Sequence, residues 1–280
     1  MATIKSWTVS DVLWERVEPL IPTRKRKKGG TYRRRPGGGR KPMEPRKVFE
    51  AIIFVLRTCC QWKALPTAHF GSASAIHKYF LAWKRQKVFV TLWRKGLAEY
   101  DELEGIAWAW QSIDGAMVKA PLALDTVGPN PTDRGKKGTK RSLLVDGNGI
   151  PLSLVVSGAQ RHDVALLEPT LDRIVVRPTP GPDAPHRLCG DTGDPGQPAD
   201  AAVRARGAVP HIPQRGNDVR ATRPSPHARP RRWVVERTHS WLNRYRKLLV
   251  RFEKTTAGYE GLLELACALI TYRRVITIHG

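Results

Sequence analysis

The spacing of apolar residues changes near Gly105, and this change restricts the chain to a helical part followed by a part that contains strands. Upstream, apolar residues such as Val48, Ile52 and Val55 recur three or four positions apart, as on one face of a helix. From Ala107 to Lys119 the apolar and polar residues alternate instead, which is typical of a strand.

The first 104 residues are predicted to be all helical. Helices are expected over 44–60 and 88–103, with another starting after Ser72, a residue suited to capping a helix N-terminus. Residues 23–42 are rich in Arg, Lys and Gly and contain no acid, so a flexible basic segment is expected there. Both a helix-turn-helix relative that binds DNA and a plain helical bundle fit this pattern.

Residues 105–280 are predicted to form an α/β domain with a mixed sheet and flanking helices. The run Asp146-Gly147-Asn148-Gly149 between two β-rich segments is a strong hairpin signal. The expected elements are strands at 107–119, 142–146, 150–156, 186–191 and 208–212, and helices at 162–175, 198–206, 231–252 and 257–276.

The charge of the chain indicates a polyanionic partner. It has 48 Lys and Arg against 25 Asp and Glu, a net charge of +23. A small domain needs a net charge of only about 2–8 for solubility. We expect no membrane partner and a cytoplasmic location, near the nucleoid when DNA is bound, because no long apolar run or signal peptide occurs. The four cysteines form no CxxC pair, so reduced thiols and no zinc site are expected.

The candidate nucleic-acid contacts are basic side chains in four places. For each of them a solvated surface residue is the alternative. They are Arg33, Arg34 and Arg35 in the basic segment; His77, Lys78, Lys84 and Arg85 on the helix that follows Ser72; Lys136, Lys137, Lys140 and Arg141 in a phosphate-gripping loop before a strand; and Arg237 and Arg244 on the 231–252 helix.

Three acids occupy places where catalytic carboxylates are found. Asp114 lies inside an otherwise apolar strand, where burial of a lone charge is costly. Asp191 ends a strand, and strand ends deliver side chains to a crevice. Glu236 lies in the first turns of a helix. Taken singly, each could also be an ordinary surface acid.

The helix that carries Glu236 has one polar side, on which Arg232, His239 and Asn243 also fall, and these three are candidate supporting residues. A solvated amphipathic helix is the alternative. Three carboxylates would suit two Mg²⁺ or Mn²⁺ ions, which activate a hydroxyl and stabilise a leaving oxygen. No nucleotide cofactor is expected, because the chain contains no Walker A sequence.

Five motifs together resemble the DDE insertion-sequence transposases of the insertion sequence five superfamily. Two of them are similar to that family's N-terminal DNA-binding region: TCCQWKALP from Thr58 and AIHKYFLAWKRQKVF from Ala75. The family's first acidic motif is similar to SIDGAMVKAP around Asp114, its second to RLCGDTGD around Asp191, and its third to RRWVVERTHSWLNRYRKLLVRFE from Arg231. The family often has an aromatic residue soon after the second aspartate, where this chain has Asp194 and Pro195.

The resemblance implies an RNase H-like core in which Asp114, Asp191 and Glu236 are the metal ligands and Arg232 is the basic partner of the glutamate. It also implies a transposase that binds the terminal inverted repeats of an insertion sequence, cleaves and transfers strands of double-stranded DNA, and works as a homodimer or higher synaptic assembly. Two other functions stay open: a catalytically inactive, repressor-like DNA-binding derivative, and an RNase H-like nuclease that selects branched DNA.

Overall fold

The fold is described from a computed structural model, which covers residues 7–23, 41–176, 186–190, 197–211 and 233–279. Most of the basic segment predicted at 23–42 lies outside these ranges.

The N-terminal part is helical, as the apolar spacing predicts. Helix α2 begins with Pro45, whose missing N–H costs nothing at a helix start, and it ends where Cys59 turns left-handed with φ 63°. The helices are α1 (Asp11–Val17), α2 (Pro45–Thr58), α3 (Thr67–Phe70), α4 (Ala73–Arg85) and α5 (Val88–Leu103).

A mixed sheet with flanking helices follows, which confirms the predicted fold class at the level of a mixed α/β architecture. The strands are β1 (Trp110–Lys119), β2 (Gly128–Pro129), β3 (Lys137–Val145), β4 (Pro151–Gly158), β5 (His186–Gly190) and β6 (Ala208–His211). The helices are α6 (Val164–Asp172), α7 (Gln197–Arg204), α8 (Trp233–Asn243) and α9 (Thr256–His279).

Strand β1 lies inside the sheet, between an antiparallel and a parallel neighbour. On one side it pairs antiparallel with β3, which forms a hairpin with β4 and also pairs with β2. On the other side it pairs parallel with β5, which pairs parallel with β6. The first strand is therefore held on both edges.

The turn between β3 and β4 is organised by Asp146, which is buried. Its carboxylate accepts hydrogen bonds from the backbone N–H groups of Asn148 and Ile150 and from the hydroxyl of Tyr100 on α5. Burial raises the pKa of Asp146 above its usual range. The hairpin that the sequence predicts is thus also a contact to the N-terminal helices.

Helix α8 is shorter than predicted. The sequence pattern predicts a helix over 231–252, but α8 ends at Asn243 and a 3-10 turn follows at Arg246–Leu248. Val250 then forms a β-bridge with Lys119, and the guanidinium of Arg251 is fully buried. The continued helical spacing of apolar residues was misleading because these tertiary contacts decide the backbone path.

Helix α9 connects the two parts. It packs against α4 and α5 and against β4, and one cluster of buried apolar residues extends from α2 through the sheet to α9. A boundary near Gly105 stays a prediction. The four cysteines, all in the described ranges, are free thiols. No described helix is both long enough and apolar enough to cross a bilayer.

Candidate active site around Asp114

Asp114 lies in the middle of β1, on the face of the sheet that α8 covers. Its backbone is opposite Leu143 of β3. The Nε2 atom of His239 is 3.4 Å from the carbonyl oxygen of Asp114 and 3.7 Å from its Oδ2. The Asp114 side chain is 25% exposed, so its carboxylate reaches solvent while its strand is fixed.

His239 is a buried, neutral imidazole. Burial lowers its pKa to about 3, and the charge of Arg141 acts in the same direction. Because a carbonyl oxygen only accepts, Nε2 carries the proton that is shared with Asp114, and Nδ1 is left without one. Nδ1 is buried with no hydrogen-bond partner in the described part of the chain. The ring therefore positions β1 against α8 without adding charge.

Glu236 lies in the first turn of α8 with an exposed side chain. The helix is held on the sheet by a buried stripe of Val234, Val235, Thr238, His239 and Leu242. Glu236 precedes His239 by three residues, which is roughly 4.5 Å along the axis on an adjoining side of the helix. The predicted polar side of α8 is thus partly buried, with Glu236 at its solvent edge.

Asn243, at the end of α8, contacts the sheet through a buried arginine. Its Oδ1 accepts a hydrogen bond of 2.5 Å from Nη2 of Arg141. Arg141 is 1% exposed and lies opposite Ala116, two residues beyond Asp114. Its Nε and Nη1 are buried without an acceptor in the described ranges.

The expectation that Lys140 and Arg141 grip phosphate from an exposed loop is therefore wrong. Strand β3 already begins at Lys137, so both side chains enter the protein on opposite faces of the sheet. Lys140 is buried, and its Nζ donates to the carbonyl of Arg161 and, at 3.1 Å, to Oδ2 of Asp163. Only Lys136 and Lys137 of this group are exposed.

Asp163 approaches the strand on the face opposite Asp114. A Cβ added to Gly115 would overlap Oδ1 of Asp163 and would lie 3.1 Å from Cδ of Lys140. This contact was not predicted from the sequence. The glycine directly after Asp114 was the available signal, because a glycine inside a strand marks a close approach.

The basic residues on α4 divide into two kinds. Lys78 and Arg85 are exposed, as DNA contacts would be. His77 instead stacks on Trp62 with 4.7 Å between ring centroids, and burial lowers its pKa, so it is a poor phosphate contact. The Nζ of Lys84 is 2.6 Å from Oε1 of Glu264. These contacts weigh against His77 and Lys84 as DNA contacts, and their roles stay predictions.

Arg237 and Arg244 do not share the side of α8 that carries Glu236. The guanidinium of Arg237 lies 4.9 Å from the ring centroids of both Trp233 and Trp241 and donates to the carbonyl of Asn148. Arg244 is exposed just after the helix. Both arginines line a cleft on another side of α8.

Several predicted site residues lie outside the described residues: Arg33, Arg34, Arg35, Asp191 and Arg232. The residue before Asp191 is described. Gly190, the last residue of β5, pairs with Ile113, the residue before Asp114. Within the described ranges no group of three His, Cys, Asp or Glu side chains is close enough to hold a metal ion.

Two family models match the chain. Residues 9–93 match "Putative transposase of IS4/5 family", and residues 188–273 match "Transposase DDE domain". The second match contains Asp191 and Glu236, whereas Asp114 lies between the two matches.

Two proteins from Burkholderia cepacia are similar in sequence. The "Putative transposase for insertion sequence element IS402" is 37% identical over 148 residues, which are 52% of this chain and 68% of that protein. The "Insertion element IS402 uncharacterized 16.2 kDa protein" is 29% identical over 125 residues, 44% of this chain and 80% of the other. A solved structure, the Mos1 mariner paired end complex with Mn, matches at 9% identity over 84% of this chain and 81% of the other, and its TM-score of 0.20 is too low to indicate a shared fold.

Proposed function

Because the chain belongs to the insertion-sequence transposases of the IS4/5 family, we propose that Asp114, Asp191 and Glu236 form the site at which it cleaves and joins DNA strands. The observation that carries this proposal is the pairing of Ile113 with Gly190 in the parallel strands β1 and β5. Two acids that directly follow paired residues on neighbouring strands would emerge beside each other.

The position of α8 supports Glu236 as the third acid. His239 contacts Asp114 from α8, and Glu236 lies one turn before His239 toward solvent. This position would bring the carboxylate of Glu236 near the strand that carries Asp114.

We propose an RNase H-like arrangement of the catalytic part. In support, β1 is the antiparallel neighbour of the β3–β4 hairpin, while β5 and β6 continue the sheet parallel to β1 on its other side. A central first strand next to both a hairpin and a crossover strand places residues from β1 and β5 at one end of the sheet.

The acids fit a divalent metal. Carboxylate oxygens are the donors that Mg²⁺ and Mn²⁺ prefer, and the neighbouring His239 is neutral and does not compete as a cation. When bound, two such ions would supply an activated attacking hydroxyl and charge stabilisation at the leaving oxygen. Asp114, Asp191 and Glu236 would hold them.

The supporting residues would keep the acids in place. His239 donates to the carbonyl of Asp114 and so fixes the strand against α8. Asn243 anchors the other end of that helix through Arg141. We propose that Arg232, four residues before Glu236 in the sequence, is the basic partner of the acid.

We further propose that double-stranded DNA, both the element's ends and the target, contacts exposed cations at the start of β3 and on the N-terminal helices. Lys136, Lys137, Lys78 and Arg85 have exposed side chains, and Arg33, Arg34 and Arg35 would add charge from the basic segment. Joining two ends requires two active sites, so a homodimer or a higher synaptic assembly is proposed.

The test is cleavage of a duplex that carries the element's end, in Mg²⁺ or Mn²⁺. Asp114→Asn, Asp191→Asn and Glu236→Gln should each lower the cleavage rate by more than about a thousandfold, as expected when one member of a catalytic group is removed. Duplex binding, measured by gel shift, should change little. Glu102→Gln, which removes an exposed acid of α5, is the matched control and should cleave normally.

Normal cleavage by any of the three variants would remove that acid from the site. Binding without cleavage by the wild-type chain would favour the repressor-like derivative. Cleavage of branched DNA regardless of its end sequence would favour the structure-selective nuclease.

A further inference from the structure

A strongly basic cleft of about 740 Å³ lies between α8, α9, the N-terminal helices and the β3–β4 turn. No acidic side chain is present among the described residues that line it. Its charge comes from five arginines, Arg57, Arg237, Arg244, Arg273 and Arg274. Arg274 is paired with Glu104, but the other four arginines bring positive charge to a lining that contains no acid among its described residues, so the cleft is suited to an anion.

The cleft also contains aromatic rings. Trp241, Tyr245 and Tyr272 line it. The guanidinium of Arg57 lies 5.1 Å from the ring centroid of Tyr245, and that of Arg237 lies 4.9 Å from that of Trp241. Stacked guanidinium and aromatic planes are the groups that recognise phosphates together with flat heterocycles.

The arginines retain unused hydrogen-bond donors. In the described part of the chain the Nε atoms of Arg57 and Arg237 are buried without a partner. Arg274 is paired with Glu104, whereas Arg244 and Arg273 have exposed side chains. The exposed guanidinium groups of Arg244 and Arg273, rather than these buried Nε atoms, are the donors that a ligand in the cleft can reach.

The cleft is separate from the proposed active site. On α8, Arg237 and Trp241 lie roughly 150° around the helix axis from the side that carries Glu236, His239 and Asn243. A strand bound in the cleft would leave the acidic site accessible.

We propose that this cleft binds an unpaired stretch of DNA, with phosphates on the arginines and a base stacked on Trp241. The volume is that of a small-molecule pocket, which admits one or two nucleotides and excludes a duplex. The proposal relies on DNA being the substrate of the family, and binding in the cleft requires no metal. Its failure is therefore distinguishable from a failure of strand cleavage.

The test compares oligothymidine with an abasic oligomer of equal length, using fluorescence anisotropy and the full chain without metal. Non-specific attraction to the +23 chain is equal for the two oligomers, so their difference reports base stacking. The wild type should bind oligothymidine more tightly by about fivefold or more. Trp241→Leu should abolish this preference, Trp241→Phe should keep most of it, and Arg244→Gln should weaken both oligomers.

Arg204→Gln, which removes an exposed arginine of α7, is the charge-matched control and should bind like the wild type. In a second measurement, an oligomer with 5-iodouracil should crosslink to the peptide that contains Trp241. Equal binding of the thymidine and abasic oligomers by the wild type would overturn the proposal and leave only a polyanion-binding surface. Crosslinks that map to peptides without Trp241 would also overturn the proposal, and so would complete displacement of the oligomer by duplex DNA.

Discussion

The residue after Asp114 has to be small, because its α-carbon faces a carboxylate. A side chain at Gly115 would collide with Asp163, which is held by the ammonium of Lys140. Gly115→Ala should therefore lower the free energy of unfolding by about 1–3 kcal/mol, as overpacking does. Urea unfolding followed by circular dichroism measures this.

The double variant Gly115→Ala, Asp163→Ala separates the collision from other effects. It should be more stable than the sum of the two single changes predicts, since the clash needs both side chains. Additive losses would mean that Asp163 moves aside at no cost.

The surroundings of a single residue were predictable where its immediate neighbours in the sequence set them. The apolar surroundings of Asp114 predicted a special position, and the structure places a buried imidazole against it. Lys140 and Arg141 were predicted wrongly, because a run of cations resembles a loop when the side chains that accept their hydrogen bonds lie more than twenty residues away. Asp191 and Arg232 stay predictions.

The helix α4 carries His77, whose ring stacks on Trp62 and faces Glu253 and Lys247 of the C-terminal part. Burial holds the pKa of His77 below its unfolded value of 6.5, so the unfolded chain takes up a proton first as the pH falls. The stability that neutral His77 provides is complete above pH 6.5 and is lost below it.

We therefore expect the free energy of unfolding to fall more steeply between pH 7 and pH 5 in the wild type than in His77→Phe, which keeps the stack but cannot titrate. Urea midpoints at several pH values provide the comparison. Parallel pH profiles would show that the ring takes up its proton equally easily in both states.

The helices and strands were largely predictable because each carries its own periodicity. Helices α2 and α5 lie where the apolar spacing places them, and the hairpin lies where the Asp-Gly-Asn-Gly run predicts. The end of α8 was not predictable, since it depends on the bridge between Val250 and Lys119 and on the buried Arg251, which only the assembled protein provides.

For the molecule as a whole, α9 makes the N-terminal helices dependent on the C-terminal part. It covers α4 and α5, and Trp62 donates to Glu253 across the same junction. A fragment of residues 1–104 would expose this apolar surface. We expect the fragment to show no cooperative thermal transition, whereas the full chain melts in one.

Circular dichroism and calorimetry of the two proteins test this expectation. The matched control is the fragment mixed with separately made residues 105–280, which should regain a transition if the missing surface is the cause. A sharp transition of the fragment alone would show that the N-terminal part is an independent domain.

The pairing of Ile113 with Gly190 has a geometric consequence for how this chain can change. Side chains along a strand alternate between two sides, so inserting or deleting one residue within the five-residue β5 would turn its last position toward the opposite layer. Length variation upstream of that strand leaves the alternation intact. Inserting or deleting one residue within β5 would reverse this alternation of side chains. An acid carried at the end of the strand would then face away from its partner on β1.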